Sequence, residues 1–380
     1  MKILLINYEF PPVGGGAGNA TQNLAREFIN LGNEVMVVTS SFSGLPSDEI
    51  IDGYRVVRIP TKREYLSQCS PSELPLFCWS AFIHLPKIIK KWRPDKTIAF
   101  FSIPSGIIAY YLKLIYKIPY IVSLRGADVP GFWKDRMKFL HWLTLPINKL
   151  IWKKAERVVA NSHGLKEIAE QTAKKIGVKI DVIPNGVDTN IFKPAFGIAK
   201  SHKKFKILFV GRLTTQKRVD ILIRALNIFI DKNLNFRDKI VCEIVGDGPT
   251  DQELRDLVKE FDLEDIIDFS GWMDRKDLSA KYQSADVLVL SSDDEGMPNV
   301  ILEAMASGLP VIATRIAGNE ELIKNNQNGY LISREESVVL AEYLYNLIIN
   351  RDLLEDFGRQ SLELVKSYSW RDISRRYLNN

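Results

Sequence analysis

The sequence predicts an α/β protein of two domains, each a parallel β-sheet covered by helices on both faces. Three observations support this prediction. The chain has 380 residues, which exceeds the usual size of a single hydrophobic core. Short runs of β-branched residues alternate with segments of helical period, as in βαβ units. Most of these runs are apolar throughout, a pattern typical of parallel strands buried on both faces.

The strands follow one another in two series. In the first half they are Lys2–Asn7, Glu34–Thr39, Tyr54–Ile59, Thr97–Phe101, Pro119–Leu124, Arg157–Ala160 and Asp181–Ile183. In the second half they are Lys206–Val210, Lys239–Val245, Asp286–Leu290 and Pro310–Ala313. Right-handed helical crossovers should connect them. In the first crossover helix Leu24, Phe28 and Leu31 share one face, and Gly32 supplies the stop.

A domain boundary is predicted between Asn185 and Phe205. A Pro-Asn-Gly turn at 184–186, then Pro194 and a polar stretch, precede a new strand. We therefore expect two Rossmann-like domains, residues 1–190 and residues 191–363.

Composition excludes several protein classes. The sequence has no uncharged apolar run long enough to span a bilayer, and its N-terminus lacks the pattern of a signal peptide. Cys69, Cys78 and Cys242 have neither metal-ligand spacing nor the pattern of a disulfide framework. We therefore expect a cytoplasmic protein.

Charge is distributed unevenly. Residues 1–195 contain 26 Lys and Arg against 16 Asp and Glu, a net charge of +10, whereas the remainder has a net charge of −5. This asymmetry suggests that the first half faces an anionic partner, and uneven surface charge without a partner is the alternative. We expect no nucleic-acid partner.

A glycine-rich loop follows the first strand. Gly14, Gly15, Gly16 and Gly18 allow close approach of a ligand to the backbone, and the helix that follows offers free N–H groups to an anion. The G-x-G-x-x-G/A dinucleotide motif fails in each frame, which disfavours a dehydrogenase. A flexible loop without a ligand is the alternative.

Two further loops follow strands of the second half. Gly211, Arg212 and Lys217 stand between a strand and a helix, where two cations can clamp a diphosphate. Gly246 and Gly248 flank Asp247 in a loop of similar plan, which by itself could be only a tight turn.

Two carboxylates follow the predicted strand that ends near Ser291. Glu295 lies on the turn, and Glu303 lies one turn inside the helix predicted at Val300–Ser307. Carboxylates beside a helix N-terminus suit a ligand that carries both hydroxyls and phosphate. A solvated helix position is the alternative for Glu303, but the apolar run VILEAMA around it disfavours that alternative.

Together these segments resemble the group 1 glycosyltransferases, retaining enzymes of the GT-B fold, in which two Rossmann-like domains face each other across a cleft. The matches are the E-x7-E pair, GRLTTQK, VIPNGVDTNIFKP, VGDGP and AMASGLPVIAT, and they span nearly the whole chain. The resemblance implies that Glu303 binds the ribose of the donor and Glu295 the transferred sugar. It implies that Arg212 and Lys217 neutralise the donor diphosphate, and that a C-terminal helix at about 364–380 returns to the first domain.

Further site residues follow from the same resemblance. The expected donor-binding residues are Gly15, Gly16, Gly211, Gly246, Gly296, Met297, Asn299, Val300 and Glu303. SLRGADV places Arg125, Gly126 and Asp128 near the sugar, with Arg125 and Gly126 on the acceptor or sugar side. The resemblance implies that the first domain is the acceptor side and that the second domain binds the donor. The expected catalytic residues are Asp128, Arg212, Lys217 and Glu295. Arg125 replaces a common histidine, Arg218 replaces a common glycine, and Pro298 removes one backbone N–H.

The resemblance implies transfer of a hexose-type sugar from a UDP- or GDP-linked donor to a glycan or lipid-linked acceptor. Of the two routes to retention, we favour a same-face route over a covalent intermediate on Asp128. We expect neither a metal nor another cofactor. A sugar-nucleotide epimerase and a non-catalytic nucleotide-sugar-binding subunit are the alternatives.

A peripheral position on the inner face of the cell membrane is a further hypothesis. Leu85, Ile88, Ile89 and Trp92 form a stripe at helical spacing beside Lys87, Lys90 and Lys91. The segment from 132 to 154 interleaves aromatic residues with Lys134, Arg136, Lys138, Lys149, Lys153 and Lys154. Core packing against the sheet is the alternative for the stripe.

Overall fold

The computed structural model describes residues 1–63, 65, 69–70, 72–132, 138–195 and 204–379. Lys134 and Arg136 of the membrane hypothesis lie outside these residues. The chain forms two compact units: unit 1 comprises Met1–Asn185 with Trp370–Asn380, and unit 2 comprises Gly186–Ser369. Each unit contains its own sheet.

The sheet of unit 1 has eight strands in the order β3-β4-β2-β1-β5-β6-β7-β8. They are β1 (Lys2–Ile6), β2 (Glu34–Ser40), β3 (Asp48–Ile51), β4 (Tyr54–Ile59), β5 (Lys96–Phe100), β6 (Tyr120–Leu124), β7 (Arg157–Ala160) and β8 (Ile180–Val182). All pairs are parallel except the β3–β4 hairpin. On β1, Ile6 is paired with Val38 and Ala99.

Helices cover both faces of this sheet. They are α1 (Gly16–Asn30), α2 (Glu73–Trp92), α3 (Ile107–Tyr116), α4 (Lys138–Lys154) and α5 (His163–Ala173). Leu24 and Phe28 of α1 pack against Leu5 and Phe100 on one face. On the other face, α2 and α3 pack around residues such as Ile6, and α4 and α5 pack around residues such as Val122.

The sheet of unit 2 has six parallel strands in the order β11-β10-β9-β12-β13-β14. They are β9 (Phe205–Val210), β10 (Ile240–Val245), β11 (Ile267–Gly271), β12 (Val287–Leu290), β13 (Val311–Thr314) and β14 (Gly329–Ile332). Its helices are α6 (Val219–Lys232), α7 (Asp251–Glu260), α8 (Arg275–Ser284), α9 (Asn299–Ala306), α10 (Ala317–Glu320), α11 (Ser337–Ile349) and α12 (Arg351–Val365). The last helix, α13 (Trp370–Leu378), belongs to unit 1, where Trp370 and Tyr377 pack in the cluster around α1.

All eleven predicted strands are present within a residue or two of their predicted ends. Strands β3, β11 and β14 were not predicted from the sequence, and each of them lies at the edge of a sheet. Edge strands are short and need no continuous apolar run, because only one of their two sides is paired with another strand. β3 alternates exposed and half-buried residues, β11 has only Ile267 buried, and β14 begins with glycine.

The stripe of the membrane hypothesis on α2 lies in the core. Leu85 and Ile89 are fully buried, and Ile88 and Trp92 pack against the same cluster. The expectation that these four side chains meet a membrane is therefore wrong, because the face they share is the one that covers the sheet. Within the described residues, no helix is long and apolar enough to cross a bilayer.

Candidate active site

The loops that follow β9 and β10 pack backbone against backbone. A Cβ on Gly246 would lie 1.9 Å from Gly211 O, and one on Gly248 would lie 2.2 Å from Leu213 O. Leu213 N donates to Asp247 O over 2.7 Å. These contacts leave no room for side chains at the two glycines, so the loops at this edge of the sheet form one packed unit.

Lys217 and Glu295 form an ion pair across two loops. The Lys217 Nζ donates to Glu295 Oε1, and both side chains are largely buried. In the loop after β12, Asp294 O also accepts a hydrogen bond from Gln216 Nε2 over 2.7 Å. Arg212, five residues before Lys217, is exposed on the same loop. The structure therefore brings Arg212, Lys217 and Glu295 to one edge of the sheet.

Glu303 lies on α9 and is 6% exposed. The Tyr282 hydroxyl on α8 donates to Glu303 Oε2 over 3.1 Å, and an Arg275 nitrogen lies 3.6 Å from Oε1. Burial raises the pKa of Glu303, while the Arg275 charge and the Tyr282 hydrogen bond act to lower it. The carboxyl group is thus buried, and two side chains orient it.

Two arginine side chains form ion pairs with the acidic residues that precede Glu295. Arg218 Nη1 lies 3.6 Å from Asp293 Oδ1, and Arg334 Nη2 donates to Asp294 Oδ1 over 3.1 Å. Arg218 adopts φ 48° at the start of α6. Glycine favours this left-handed region, so the conformation suits the glycine that the resemblance led us to expect at this position.

The turn before α9 lies against α10. A Cβ on Gly318 would approach Gly296 O to 2.7 Å and Glu295 O to 2.8 Å. Met297 is buried beneath the turn, whereas Asn299 and Val300 begin α9 and are half-buried. Amides at the N-terminus of a helix can bind an anion.

In unit 1, the glycine loop folds back on Glu9. A Cβ on Gly14, which has φ 96°, would lie 2.5 Å from Glu9 Cβ, and Gly15 N donates to Glu9 Oε2 over 3.4 Å. A Cβ on Gly15 would meet no atom of the described chain within 4 Å. The loop is therefore open at Gly15, directly before α1 begins at Gly16.

Asp128 binds the backbone of two strand-end loops. Its Oδ2 accepts from Ser102 N over 2.7 Å, and its Oδ1 accepts from Arg125 N over 2.9 Å and Gly126 N over 3.1 Å. Burial raises the pKa of Asp128, and these backbone hydrogen bonds act to lower it. The carboxylate connects the loops after β5 and β6.

The Arg125 side chain contacts residues that come late in the sequence of unit 1. Its Nη1 donates to Asn185 Oδ1 over 2.6 Å, its Nη2 lies 3.4 Å from the Tyr377 hydroxyl, and its guanidinium lies 4.6 Å from the Phe100 ring centroid. Burial lowers its pKa. Arg125 thus contacts α13, which comes from the other end of the chain.

Comparison with known proteins places this arrangement in a family. Over 87% of this chain and 84% of the relative, the sequence is 30% identical to the UDP-Gal:alpha-D-GlcNAc-diphosphoundecaprenol alpha-1,3-galactosyltransferase of Escherichia coli. The profile described as Glycosyl transferases group 1 matches residues 192–363, and Glycosyltransferase Family 4 matches residues 14–191. The chain belongs to the group 1 glycosyltransferases. It therefore transfers a sugar from a nucleotide sugar.

Solved structures show that this glycosyltransferase has the GT-B fold. Sucrose-phosphate synthase from Thermosynechococcus elongatus superposes with a TM-score of 0.83 at 20% identity, over 99% of this chain and 97% of that one. HepE from Anabaena, determined in complex with UDP and glucose, superposes with a TM-score of 0.77 at 19% identity. The superposition covers 100% of this chain and 98% of HepE.

Tyr282 and Arg275 of the glycosyltransferase were not predicted from the sequence. Both lie on α8, at least 21 residues before Glu303 in the chain. No local spacing connects them to the E-x7-E motif, and only the packing of α8 beside α9 brings them together. The available signal was a tyrosine in a mostly polar helix shortly before a buried strand.

Proposed function

We propose that this glycosyltransferase moves a hexose from a UDP- or GDP-linked donor to a lipid-linked or cell-surface glycan precursor, with retention at the anomeric carbon. The observation that carries this proposal is the position of four side chains at one edge of the unit 2 sheet: Arg212, Lys217 and Glu295 on the loops there, and Glu303 on α9, the helix that begins at that edge. Two cations for a diphosphate lie there with two carboxylates for hydroxyl groups.

The choice of donor is supported by relatives. The Escherichia coli relative is named for UDP-Gal, and the Anabaena protein was solved with UDP and glucose. In the proposed complex, Glu303 accepts hydrogen bonds from the ribose hydroxyls. Tyr282 and Arg275 hold that carboxylate in place.

The leaving group is a nucleoside diphosphate, which gains negative charge as the glycosidic bond breaks. Arg212, Lys217 and the amides that open α9 stabilise that charge in our proposal. Before the donor binds, Glu295 neutralises Lys217. A hydroxyl of the bound sugar then donates to Glu295 while Lys217 contacts the diphosphate.

We propose a same-face route to retention. A covalent route requires a carboxylate that is free to attack the anomeric carbon. Asp128 is the candidate, but it is buried and accepts hydrogen bonds from three backbone amides. In the same-face route the donor phosphate deprotonates the acceptor, and Asp128 instead positions the loops after β5 and β6.

We further propose catalysis without a metal ion. Asp293 and Asp294, the acids next to the diphosphate loops, are already paired with Arg218 and Arg334. Arg212 and Lys217 supply the positive charge that a divalent ion would otherwise provide. Turnover that is unchanged in excess chelator is the expected result, and its loss would contradict this part of the proposal.

A thermal-shift screen with UDP, GDP and ADP tests the donor. A ligand that binds only the folded protein raises its melting temperature, so UDP or GDP should stabilise it more than ADP does. The matching sugar nucleotide is then incubated with lipid-diphosphate acceptors, and NMR of the product reads the anomeric configuration. Inversion would contradict the proposed mechanism.

The same assay separates the alternatives. An epimerase converts the sugar nucleotide without any acceptor, which NMR of the donor alone would detect. A non-catalytic subunit binds the nucleotide but forms no product with any acceptor. Either result would overturn the proposed transfer.

A further inference from the structure

Three neighbouring helices of unit 1 expose an extended apolar surface. Helix α3 contacts both α2 and α4. The Phe82 ring of α2 lies 4.9 Å from that of Tyr111 on α3, and Lys113 Nζ of α3 donates to Lys154 O of α4 over 2.5 Å. The three helices thus form one continuous layer on this side of the sheet.

On α4 the exposed apolar side chains follow the helical repeat. They are Phe139, Trp142, Leu143, Ile147 and Leu150. Phe139 is 74% exposed and Trp142 is 69% exposed, and their rings stack with centroids 6.1 Å apart. Trp152, on the opposite side of α4, and its neighbour Ile151 are buried against the sheet. The helix is therefore apolar on both its covered and its uncovered side.

The neighbouring helices extend this surface. On α2 the exposed apolar residues are Leu76, Trp79 and Ile83, and on α3 they are Leu114 and Ile115. We call these ten side chains of α2, α3 and α4 the helical face. It does not include the stripe from Leu85 to Trp92, which faces the core. Exposed apolar patches of this extent mark interaction sites.

Charge indicates what covers the helical face. The ranges of α2, α3 and α4 contain eight lysines, while Glu73 is their only acidic residue and is buried. Lys87, Lys90 and Lys91 continue the exposed side of α2, and Lys153 and Lys154 continue that of α4. Apolar residues followed by lysines on one exposed side suit an interface of hydrocarbon and anionic headgroups.

The helical face borders the acceptor side of unit 1. Helices of βαβ units run antiparallel to the strands they connect, so the first turns of α2 and α4 lie toward the carboxyl edge of the sheet. Gly15 and Asp128 follow strands at that same edge. The apolar turns, which include Trp79 and Trp142, are thus on the side where an acceptor would be bound.

We propose that the helical face docks on the surface of an anionic lipid bilayer. This inference refines the proposed function, because docking would present a lipid-linked acceptor to the edge that carries Gly15 and Asp128. The docking itself requires only the ten apolar side chains and the lysines beside them. It is therefore measurable without donor or acceptor.

Vesicle sedimentation of the full chain tests the docking. Wild-type protein should bind vesicles of phosphatidylcholine mixed with phosphatidylglycerol, bind pure phosphatidylcholine vesicles much less, and be released by salt. The double variant Trp79→Ser/Trp142→Ser should bind roughly tenfold more weakly. Lys153→Gln/Lys154→Gln should lose the preference for anionic vesicles.

Matched controls use exposed residues elsewhere. Trp272→Ser in unit 2 and Lys174→Gln/Lys175→Gln, directly after α5, should sediment like the wild type. Wild-type protein that ignores anionic vesicles at low salt would overturn the inference. So would a dimer in ultracentrifugation that only Trp79→Ser/Trp142→Ser disrupts, because the helical face would then bind a second copy.

The Glu303→Ala variant separates this inference from the proposed function. It should bind vesicles like the wild type although it binds donor poorly. If donor binding were unchanged in Glu303→Ala while the double tryptophan variant failed to sediment, the donor site would be wrong and the docking face correct. If Glu303→Ala lost donor binding while the double tryptophan variant sedimented like the wild type, the donor site would be correct and the docking face wrong.

Discussion

The Tyr282 hydroxyl donates a hydrogen bond to Glu303 Oε2 over 3.1 Å, inside unit 2. Both side chains are buried, so this contact forms in a medium where a carboxylate is costly to leave unpaired. Together with Arg275, Tyr282 holds the carboxylate that we propose for the donor ribose.

Replacement of Tyr282 by Phe should change the pH dependence of donor binding. The hydroxyl lowers the pKa of Glu303, so its removal raises that pKa further. Ribose hydroxyls donate to the ionised carboxylate, so UDP affinity falls when Glu303 becomes protonated. As the pH is lowered, this fall should therefore begin at a higher pH in the variant than in the wild type. Calorimetry across a pH series measures this. Two parallel profiles would assign Tyr282 a packing role only.

Replacement of Glu303 by Gln should weaken nucleotide binding but not folding. Loss of a charge-assisted hydrogen bond costs about 1.5–3 kcal/mol, which corresponds to a tenfold or larger loss of UDP affinity. The raised pKa means that the folded state binds a proton more readily than the unfolded chain. Ionisation of Glu303 therefore decreases stability as pH rises from about 4.3 toward the folded pKa.

At neutral pH, Glu303→Gln should accordingly melt at the same temperature as the wild type or higher. Differential scanning calorimetry without nucleotide measures it, and Glu264→Gln on the surface is the control. A large drop in melting temperature would show that Glu303 is needed for the fold rather than for the donor.

Replacement of Lys217 by Met should impair binding of UDP far more than binding of uridine, because the lysine contacts the diphosphate in our proposal. It should also destabilise unit 2, since Glu295 loses its partner while largely buried. The double variant Lys217→Met/Glu295→Gln should regain stability but not UDP affinity. Equal losses for UDP and uridine would point to a structural effect.

Two glycine-to-alanine replacements should distinguish a glycine that the fold requires from a glycine that leaves room for a ligand. Gly246→Ala should destabilise unit 2 because its Cβ would lie 1.9 Å from Gly211 O. Gly15→Ala should leave the melting temperature unchanged, since the described chain places no atom within 4 Å of that Cβ. Transfer by Gly15→Ala should nevertheless fall if donor or acceptor passes there, and wild-type turnover would contradict that.

The sequence by itself determined the two-domain α/β fold and the strands of both sheet interiors. Strands such as Ile240–Val245 are specified by their own apolar residues, and the loops after them by glycine. Local chemistry also placed Glu303 in a buried helix, because VILEAMA is apolar around it. Edge strands such as Asp48–Ile51 lacked that local pattern, since only one neighbouring strand pairs with them.

Only the tertiary structure decided which side chains meet. Lys217 and Glu295 are 78 residues apart in the chain, and Arg125 and Tyr377 are 252 apart. Helical period alone could not tell which side of α2 covers the sheet, because both Leu85 and Trp79 belong to apolar stripes. Packing against the strands buried Leu85 and left Trp79 exposed. Contacts between distant segments depend on how whole elements pack, which no local spacing encodes.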